Sequence, residues 1–412
     1  MKRSPERYSL NLRVLFLFLL FATMCSLAQN RYYKGNTHSH CYPKSSDITN
    51  SSYSAENIVA SYKAKGYDFL VFTDHVNYWY AGGLSTPDFT VISGSEPGIS
   101  GGGLWGHFTA IRITSNISGS GKTHQQLLDA IAAQGGIAFL NHPRWSVIPI
   151  TARQVINDMK QNLSHVEVYN GATDSPTNYD SSLWDSVLTT GRVMFGVASD
   201  DSHKETDQQR GWICVYASSR HPDTLVNAIR RGDFYASNGI VLDTVGYAPE
   251  KVYVKSTNGT TIRFIGSGGS TLAMIQASEV TYVIQGNEGY VRAEIRNNLN
   301  QTAWIQPLVL PTATKVRNDE SSEVPGSHVL FHNYPNPFNS QTSISFHLAA
   351  STFVTLGVFD VVGRNIVTLV HGELQSGYHR MIWRASGLPS GAYVCRLQTG
   401  DFSQARTLIL LK

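Results

Sequence analysis

The sequence predicts a mixed α/β protein in three parts: a small barrel of repeated β-α units, a short all-β region after it, and a C-terminal all-β sandwich. Two observations carry this expectation. Between Tyr33 and Phe234 short apolar runs alternate with stretches of helical periodicity, whereas beyond Asn238-Gly239 only alternating runs remain. With 412 residues, 42% hydrophobic and 15% charged, the chain is too long for one ordinary domain and too apolar for disorder.

Residues 1–28 read as a secretory signal peptide. A basic start with Lys2, Arg3, Arg7 and Arg13 precedes the apolar run 14–22, and Ser26-Leu27-Ala28 places small residues where a signal peptidase cuts. A membrane anchor is the competing reading, opposed by the shortness of the run. The mature chain is therefore expected outside the cytoplasm, without a transmembrane segment. Without residues 1–28, basic and acidic residues balance in number, which leaves no electrostatic footprint for nucleic acid. Cys25 leaves with the signal, and Cys41, Cys214 and Cys395 are too few and scattered for a disulfide scaffold or a zinc ribbon.

Within 29–245, strands are expected at 69–72, 89–92, 107–113, 136–140, 166–169 and 193–197. The helices between them have recognisable ends. Ser54 can cap a helix to Lys65 before Gly66, Thr123 with Gln126 forms a capping-box pattern ending at Gly135-Gly136, and Thr151 with Gln154 repeats it. Residues 246–312 form a small β region with strands near 252–255, 261–264, 281–284 and 290–295. The polar stretch 313–330 reads as a linker, and 331–412, rich in short strands and glycine turns, as a compact sandwich.

Eight of the 14 histidines fall between His38 and His203, mostly where a strand gives way to a loop. His38 and His40 lie two apart, so an extended backbone points both to one face. Thr73-Asp74-His75, Glu96, Asn141-His142-Pro143 and Asp200-Asp201-Ser202-His203 each follow an apolar run. In a β/α barrel the carboxyl ends of the strands share one rim, so these acids and imidazoles converge. Imidazoles mixed with carboxylates and no thiolate suit divalent Zn, Mn or Fe in an open site. The set is too large for one ion. Two or three ions sharing a carboxylate bridge would supply hydroxide as a nucleophile and polarise the bond it attacks.

The motifs Thr37-His-Ser-His40, Thr73-Asp-His75, Asn141-His-Pro143 and Ser199-Asp-Asp-Ser-His203 resemble, in order and spacing, those of the PHP (polymerase and histidinol phosphatase) superfamily. Gly66-Tyr-Asp-Phe-Leu-Val-Phe-Thr-Asp-His75, Glu167-Val-Tyr-Asn-Gly171 and Ala303-Trp-Ile-Gln-Pro307 are similar to its CehA/McbA-like metallohydrolases. The resemblance spans about 31–310 and implies a distorted (β/α)7 barrel with two or three metal ions. It implies that His38, His40 and Asp201 hold one ion, with Glu96 bridging to another. His75, His203 and an acid after the first motif would serve a second, and His107 and His142 a third, again with Glu96. Asp47 is that acid, although it stands farther from His40 than in the family and Ile48 replaces the usual glycine.

Other residues are candidates on chemistry alone. Arg144 could clamp a phosphate or carboxylate with its planar guanidinium, or be a loop residue. Asp74 and Asp200 read as partners orienting imidazoles. His124 and His165 read as surface or core residues, and Trp145, Tyr169 and Trp212 as pocket lining or core.

Asn333-Tyr-Pro-Asn-Pro-Phe-Asn339, Val358-Phe-Asp-Val-Val-Gly363, Ser390-Gly-Ala-Tyr393 and the closing Leu408-Ile-Leu-Leu-Lys412 resemble a second family, the type IX secretion C-terminal sorting domain. That resemblance implies the type IX secretion machinery as partner and a cell-surface or secreted destination; a carbohydrate-binding sandwich is the competing reading. The expected activity is metal-dependent hydrolysis of a small-molecule ester, a phosphoester first, catalysed by Glu96 and Asp201 with Arg144 stabilising charge. A carboxylic or carbamate ester hydrolase of CehA type and a non-catalytic surface binding module are the alternatives.

Overall fold

The computed structural model describes residues 30–410 apart from 76, 102, 174–180, 249, 311–327, 332, 334–337 and 401. The expected signal peptide and most of the expected linker lie outside the described residues. The chain forms two compact units, 1–310 and 311–412.

The first unit opens with β1 (Arg31–Asn36), α1 (Ala55–Ala64), β2 (Phe69–Phe72), β3 (Thr90–Ser95), β4 (Gly98–Gly101) and β5 (Leu104–Ile111). There follow α2 (His124–Ala133), β6 (Ile137–Leu140), α3 (Ala152–Asp158), β7 (Leu163–Asn170), α4 (Ser182–Thr189) and β8 (Phe195–Ser199). Next come β9 (Trp212–Ala217), α5 (Pro222–Arg231) and β10 (Phe234–Ser237). Each predicted helix start is a real cap. Ser54 Oγ accepts from Asn57 N, and Thr123 with Gln126 and Thr151 with Gln154 close reciprocal capping boxes. Gly66 and Gly135 then take the left-handed conformation that ends α1 and α2 (φ 76° and 73°).

The sheet is mixed rather than all-parallel. β1, β2 and β3 run parallel, as do β6, β7 and β8, but β5 between them is antiparallel to both β3 and β6. A parallel connection needs a crossover of a dozen or more residues. Between Ser95 and Leu104 the chain has room only for β4, which folds back on β5. Past β8, an isolated parallel bridge between Ser39 and Ser202 joins the chain leaving β8 to the chain leaving β1. β9 and β10 extend the sheet antiparallel from the other edge of β1.

The rest of this unit is β11 (Leu242–Ala248), β12 (Lys251–Ser256), β13 (Thr261–Gly266), β14 (Ser270–Ile275), β15 (Glu279–Val283), β16 (Tyr290–Arg296), β17 (Thr302–Ile305) and β18 (Leu308–Val309). β17 pairs with β10, so β13, β14, β16 and β17 continue the main sheet, while β11, β12 and β15 form a separate three-stranded one. Two apolar clusters fill the unit. One is built on Phe108, Leu127, Phe139 and Trp184, the other on Tyr62, Phe72, Phe264 and Ile295.

The second unit holds β19 (Val329–Leu330), β20 (Gln341–Leu348), β21 (Thr352–Asp360), β22 (Asn365–Leu374), β23 (Gly377–Arg384), β24 (Gly391–Thr399) and β25 (Phe402–Leu410). They make one three-stranded and one four-stranded antiparallel sheet that share a single apolar cluster around Phe346, Leu356, Trp383 and Leu397. Alternation sets that core, as in β24, where Tyr393, Cys395 and Leu397 are buried between exposed or half-buried neighbours. Cys41, Cys214 and Cys395 are buried free thiols. No helix among the described residues is long and apolar enough to cross a membrane.

Candidate metal centre

The site is built where β1, β2, β3, β6 and β8 end, together with the first half of the oppositely running β5. That reversal explains why His107 stands near the entrance of its strand while the other histidines follow theirs. His38 and His40 follow β1, His75 follows β2 and Glu96 follows β3; His142 follows β6, and Asp201 and His203 follow β8.

Glu96 is the centre. Its carboxylate is buried (1% exposed) and meets five imidazoles. His38 Nε2, His107 Nδ1 and His142 Nε2 each lie 3.3 Å from Oε1, and His75 Nδ1 and His40 Nε2 lie 2.9 and 3.5 Å from Oε2. Asp201 Oδ1 lies 3.2 Å from both His38 Nε2 and His40 Nε2. On the other side, Asp47 Oδ2 lies 3.2 Å from His75 Nε2 and 2.9 Å from His203 Nε2. All nine expected ligands therefore meet in one place. Three subsets bring their ligand atoms within 4.8 Å of one another: His40, Asp47, His75 and His203; His38, His40 and Glu96; His75, Glu96 and His107.

The donor set fits divalent cations. Although His38 Nε2 and Glu96 Oε2 lie at ion-pair distances from several partners, neither has a hydrogen-bond partner among the described residues, and His142 Nδ1 has none either. Buried polar atoms left this way cost stability unless something else binds them. Ligands about 2.1 Å from a shared ion stand about 3.0–3.4 Å from each other, close to the spacings seen here. In three of the imidazoles the other ring nitrogen is already engaged: His38 Nδ1 with Glu167 Oε1 (2.8 Å), His40 Nδ1 with Ser45 Oγ (3.1 Å) and His203 Nδ1 with the Asp201 carbonyl (2.9 Å). In all three it is Nε2 that faces the centre, as in imidazoles oriented for a metal.

Charge in the cluster is polarised accordingly. Burial opposes protonation of His38, but the carboxylates of Asp201, Glu96 and Glu167 raise its pKa well above the ordinary value. Burial likewise opposes protonation of His75, which Asp47 and Glu96 nonetheless raise to about 10. Burial prevails at His40 and pushes it down to about 4. Glu96 and Asp201 are held well below the carboxylate range, against their burial, chiefly by His38. His142 and Asp201 also adopt positive φ (26° and 51°).

Several expectations need correction. Asp74 and Asp200 do not orient imidazoles. Asp74 accepts from Cys41 N, Cys41 Sγ and Trp79 Nε1, pinning the loop after His40. Asp200 accepts from the Tyr62 hydroxyl and from the backbone of Gln209, Arg210 and Gly211, and burial raises its pKa to about 6. The carboxylate on an imidazole is instead Glu167, whose strand motif gave it no assigned role. Arg144 is exposed, two residues beyond His142. Trp145 lies edge-on against His142, with ring centroids 5.2 Å apart, and 6.2 Å from His107, so it borders the cluster. His124 and His165 are core residues, bonded to the carbonyls of Trp105 and Ile229.

Residues 332–411 match the family model of the secretion system C-terminal sorting domain, and the chain is accordingly a type IX substrate bound for the cell surface or the extracellular space. No curated protein matches the chain. Among solved structures it is similar to a two-domain protein of Bacteroides vulgatus containing a predicted PHP-like metal-dependent phosphoesterase. Identity is 17% and the TM-score 0.39, over 65% of this chain and 91% of that one. It is also similar to a predicted metal-dependent phosphoesterase of Bifidobacterium adolescentis, at 12% identity and TM-score 0.33, over 42% of this chain and 88% of that one.

Proposed function

We propose that the first unit is a metal-dependent hydrolase of ester bonds, with phosphoesters as the substrate class, working outside the cell. The observation that carries this reading is the buried Glu96 carboxylate with five imidazoles at 2.9–3.5 Å, flanked by Asp47 and Asp201. So many imidazoles and carboxylates converging on one buried point suit cations held among them. The residues would hold two or three ions of Zn, Mn or Fe. His38, His40 and Asp201 would serve one, His75, His203 and Asp47 another, His107 and His142 a third, with Glu96 shared among them. When bound, such ions supply a nucleophile at neutral pH and polarise the ester.

The chain's own contribution is orientation. Asn141 Nδ2 donates to Glu96 Oε1 (2.7 Å) and Asn170 Nδ2 to Asp201 Oδ2 (3.1 Å), fixing the two carboxylates assigned to catalysis. Arg144, exposed two residues beyond His142, is the residue we assign to the substrate's oxyanion. The CehA/McbA-like motifs and a ring of strands closed at Ser39–Ser202 agree with a distorted (β/α)7 barrel.

The test is to assay the full chain, stripped with chelator and reloaded with Zn or Mn, on nitrophenyl phosphate mono- and diesters and on nitrophenyl carboxylic esters. Cleavage of phosphate esters that vanishes on chelation and returns with metal is expected. Cleavage of carboxylic esters alone would overturn the substrate class, and absence of bound metal would overturn the reading of the site.

A further inference from the structure

Glu167 lies outside the expected ligand set, yet its buried carboxylate reaches three of the segments that carry that set. Oε1 accepts from His38 Nδ1 (2.8 Å) and the Ser199 hydroxyl (2.5 Å); Oε2 accepts from the backbone N–H of His142 (2.7 Å) and from Asn170 Nδ2 (2.9 Å). β7 is bulged between Glu167 and Tyr169, where its register against β8 slips by one residue. An extra residue inverts the alternation beyond it, so Asn170 joins Glu167 on the face toward the site and continues to Asp201 Oδ2.

We propose that Glu167 is the positioning residue of the metal centre, an inference that rests on the reading of the site given above. It fixes His38 with a proton on Nδ1 and Nε2 as the ligand atom, and it holds the backbone of His142 in its left-handed conformation. The backbone N–H of His142 and the amide NH2 of Asn170 can only donate, so the Oε2 position must remain an acceptor. At Oε1, an ionised carboxylate obliges His38 Nδ1 to donate as well. The Nε2 atom left over is the one at 3.3 Å from Glu96 and 3.2 Å from Asp201 that has no hydrogen-bond partner among the described residues.

The same donor and acceptor roles decide what Glu167→Gln does. The new amide nitrogen cannot face His142 N–H and Asn170, two obligate donors. It must therefore turn toward Ser199 and His38, where Nδ1 becomes an acceptor and the imidazole proton moves to Nε2, the atom an ion needs. The variant preserves shape and burial while blocking one ligand, whereas Glu167→Asp keeps an anionic acceptor and is expected to retain the wild-type tautomer.

The experiment is nitrogen NMR of the full chain labelled in its histidine rings, with Zn titrated into wild type and both variants and His38 assigned by its loss in His38→Asn. Wild type is expected to keep the Nδ1 proton on His38. Glu167→Gln is expected to lose it and to bind Zn about 10- to 100-fold more weakly, the range for an outer partner of a metal-ligating histidine. Glu167→Gln with the Nδ1 proton and the Zn affinity of wild type would overturn the inference. Wild type that binds no Zn would overturn the reading of the site instead. The metal-free spectra then judge Glu167 alone: a His38 Nδ1–H signal shifted by its carboxylate partner in wild type and moved or lost in Glu167→Gln upholds its hold on His38, and unchanged spectra refute it. Should Glu167→Gln not fold, Glu167→Asp decides, since full loss of the Nδ1 proton there would contradict the proposal.

Discussion

At the scale of single residues, Glu96 is where the proposed chemistry can be broken most cleanly. Its two oxygens face five imidazoles, and Asn141 is its one amide partner at 2.7 Å. Glu96→Gln keeps the volume, so the fold should survive, but it removes the charge that lets several cations sit together. Metal content should fall, and kcat/KM should drop by about three orders of magnitude, as when a centre that stabilises developing charge is lost. Elemental analysis, circular dichroism and the ester assay on one preparation check this, and full activity in a folded variant would refute a shared carboxylate. Most of the nine residues proposed as ligands were legible as acids and imidazoles beside an apolar run or, for His38 and His40, two apart, whereas Asp47 was named only through the family resemblance. Glu167 was not legible, because its role depends on a bulge in β7 that reverses which side chains face the site, and no residue type announces a bulge. Asp74 and Asp200 misled for the opposite reason: adjacency to a ligand in sequence puts an acid on the other side of an extended backbone, where both found backbone donors instead.

At the scale of elements, helix ends and strand cores were readable, while strand direction was not. Ser54, Thr123 and Thr151 cap as expected because capping is a local interaction within four residues. The antiparallel β5 follows from what is missing between Ser95 and Leu104, a helix-length crossover, which an apolar run cannot reveal by itself. β9 and β10, which carry the sheet beyond β1, likewise depend on long-range pairing. The contact of β7 with α5 gives a prediction at this scale. His165 is fully buried in β7, stacked on Phe139 at 4.4 Å between ring centroids, with Nε2 donating to the carbonyl of Ile229 in α5 (3.0 Å) and Nδ1 beside Ser164 Oγ (2.8 Å). Burial pushes its pKa down to about 3, so the folded state holds it neutral while the unfolded chain protonates it near the ordinary histidine value of about 6.5. The sign follows: the unfolded state binds the extra proton between those values, so the contribution of His165 is whole above about pH 6.5 and is lost as pH falls toward 3. In urea unfolding at stepped pH, His165→Phe should be less stable at pH 7.5 by about 1 kcal/mol, having lost the Ile229 bond. It should also fall less steeply than wild type below pH 6, by up to about 1.4 kcal/mol per pH unit. Parallel acid limbs would show that the ring is not held neutral.

At the scale of the whole molecule, the proposed chemistry and the destination reside in different units. The ligand cluster belongs to residues 1–310, whose apolar clusters draw only on residues of that unit, and the sorting domain has its own core around Phe346, Leu356, Trp383 and Leu397. The two units also differ in how they could be read. The second is one family-like pattern of alternating strands, legible from local sequence, whereas the first assembles its site from seven segments spread over more than 160 residues. Because the cores do not share residues, removing 331–412 should leave the first unit folded, its metal content unchanged and its kcat/KM within about twofold of the full chain, as expected when no core contact is lost. Delivery should fail, since the segment matching the sorting family is gone. Expressing the full and truncated chains in a host with a type IX system, then assaying metal-dependent ester cleavage in the periplasmic and the cell-surface plus medium fractions, separates the two effects. Full-chain activity should appear at the surface or in the medium and truncated-chain activity should be trapped in the periplasm at equal specific activity. A truncated chain that still reached the surface would remove the sorting role from 331–412, and a truncated chain that arrived nowhere as active enzyme would show that the first unit needs the second in order to fold.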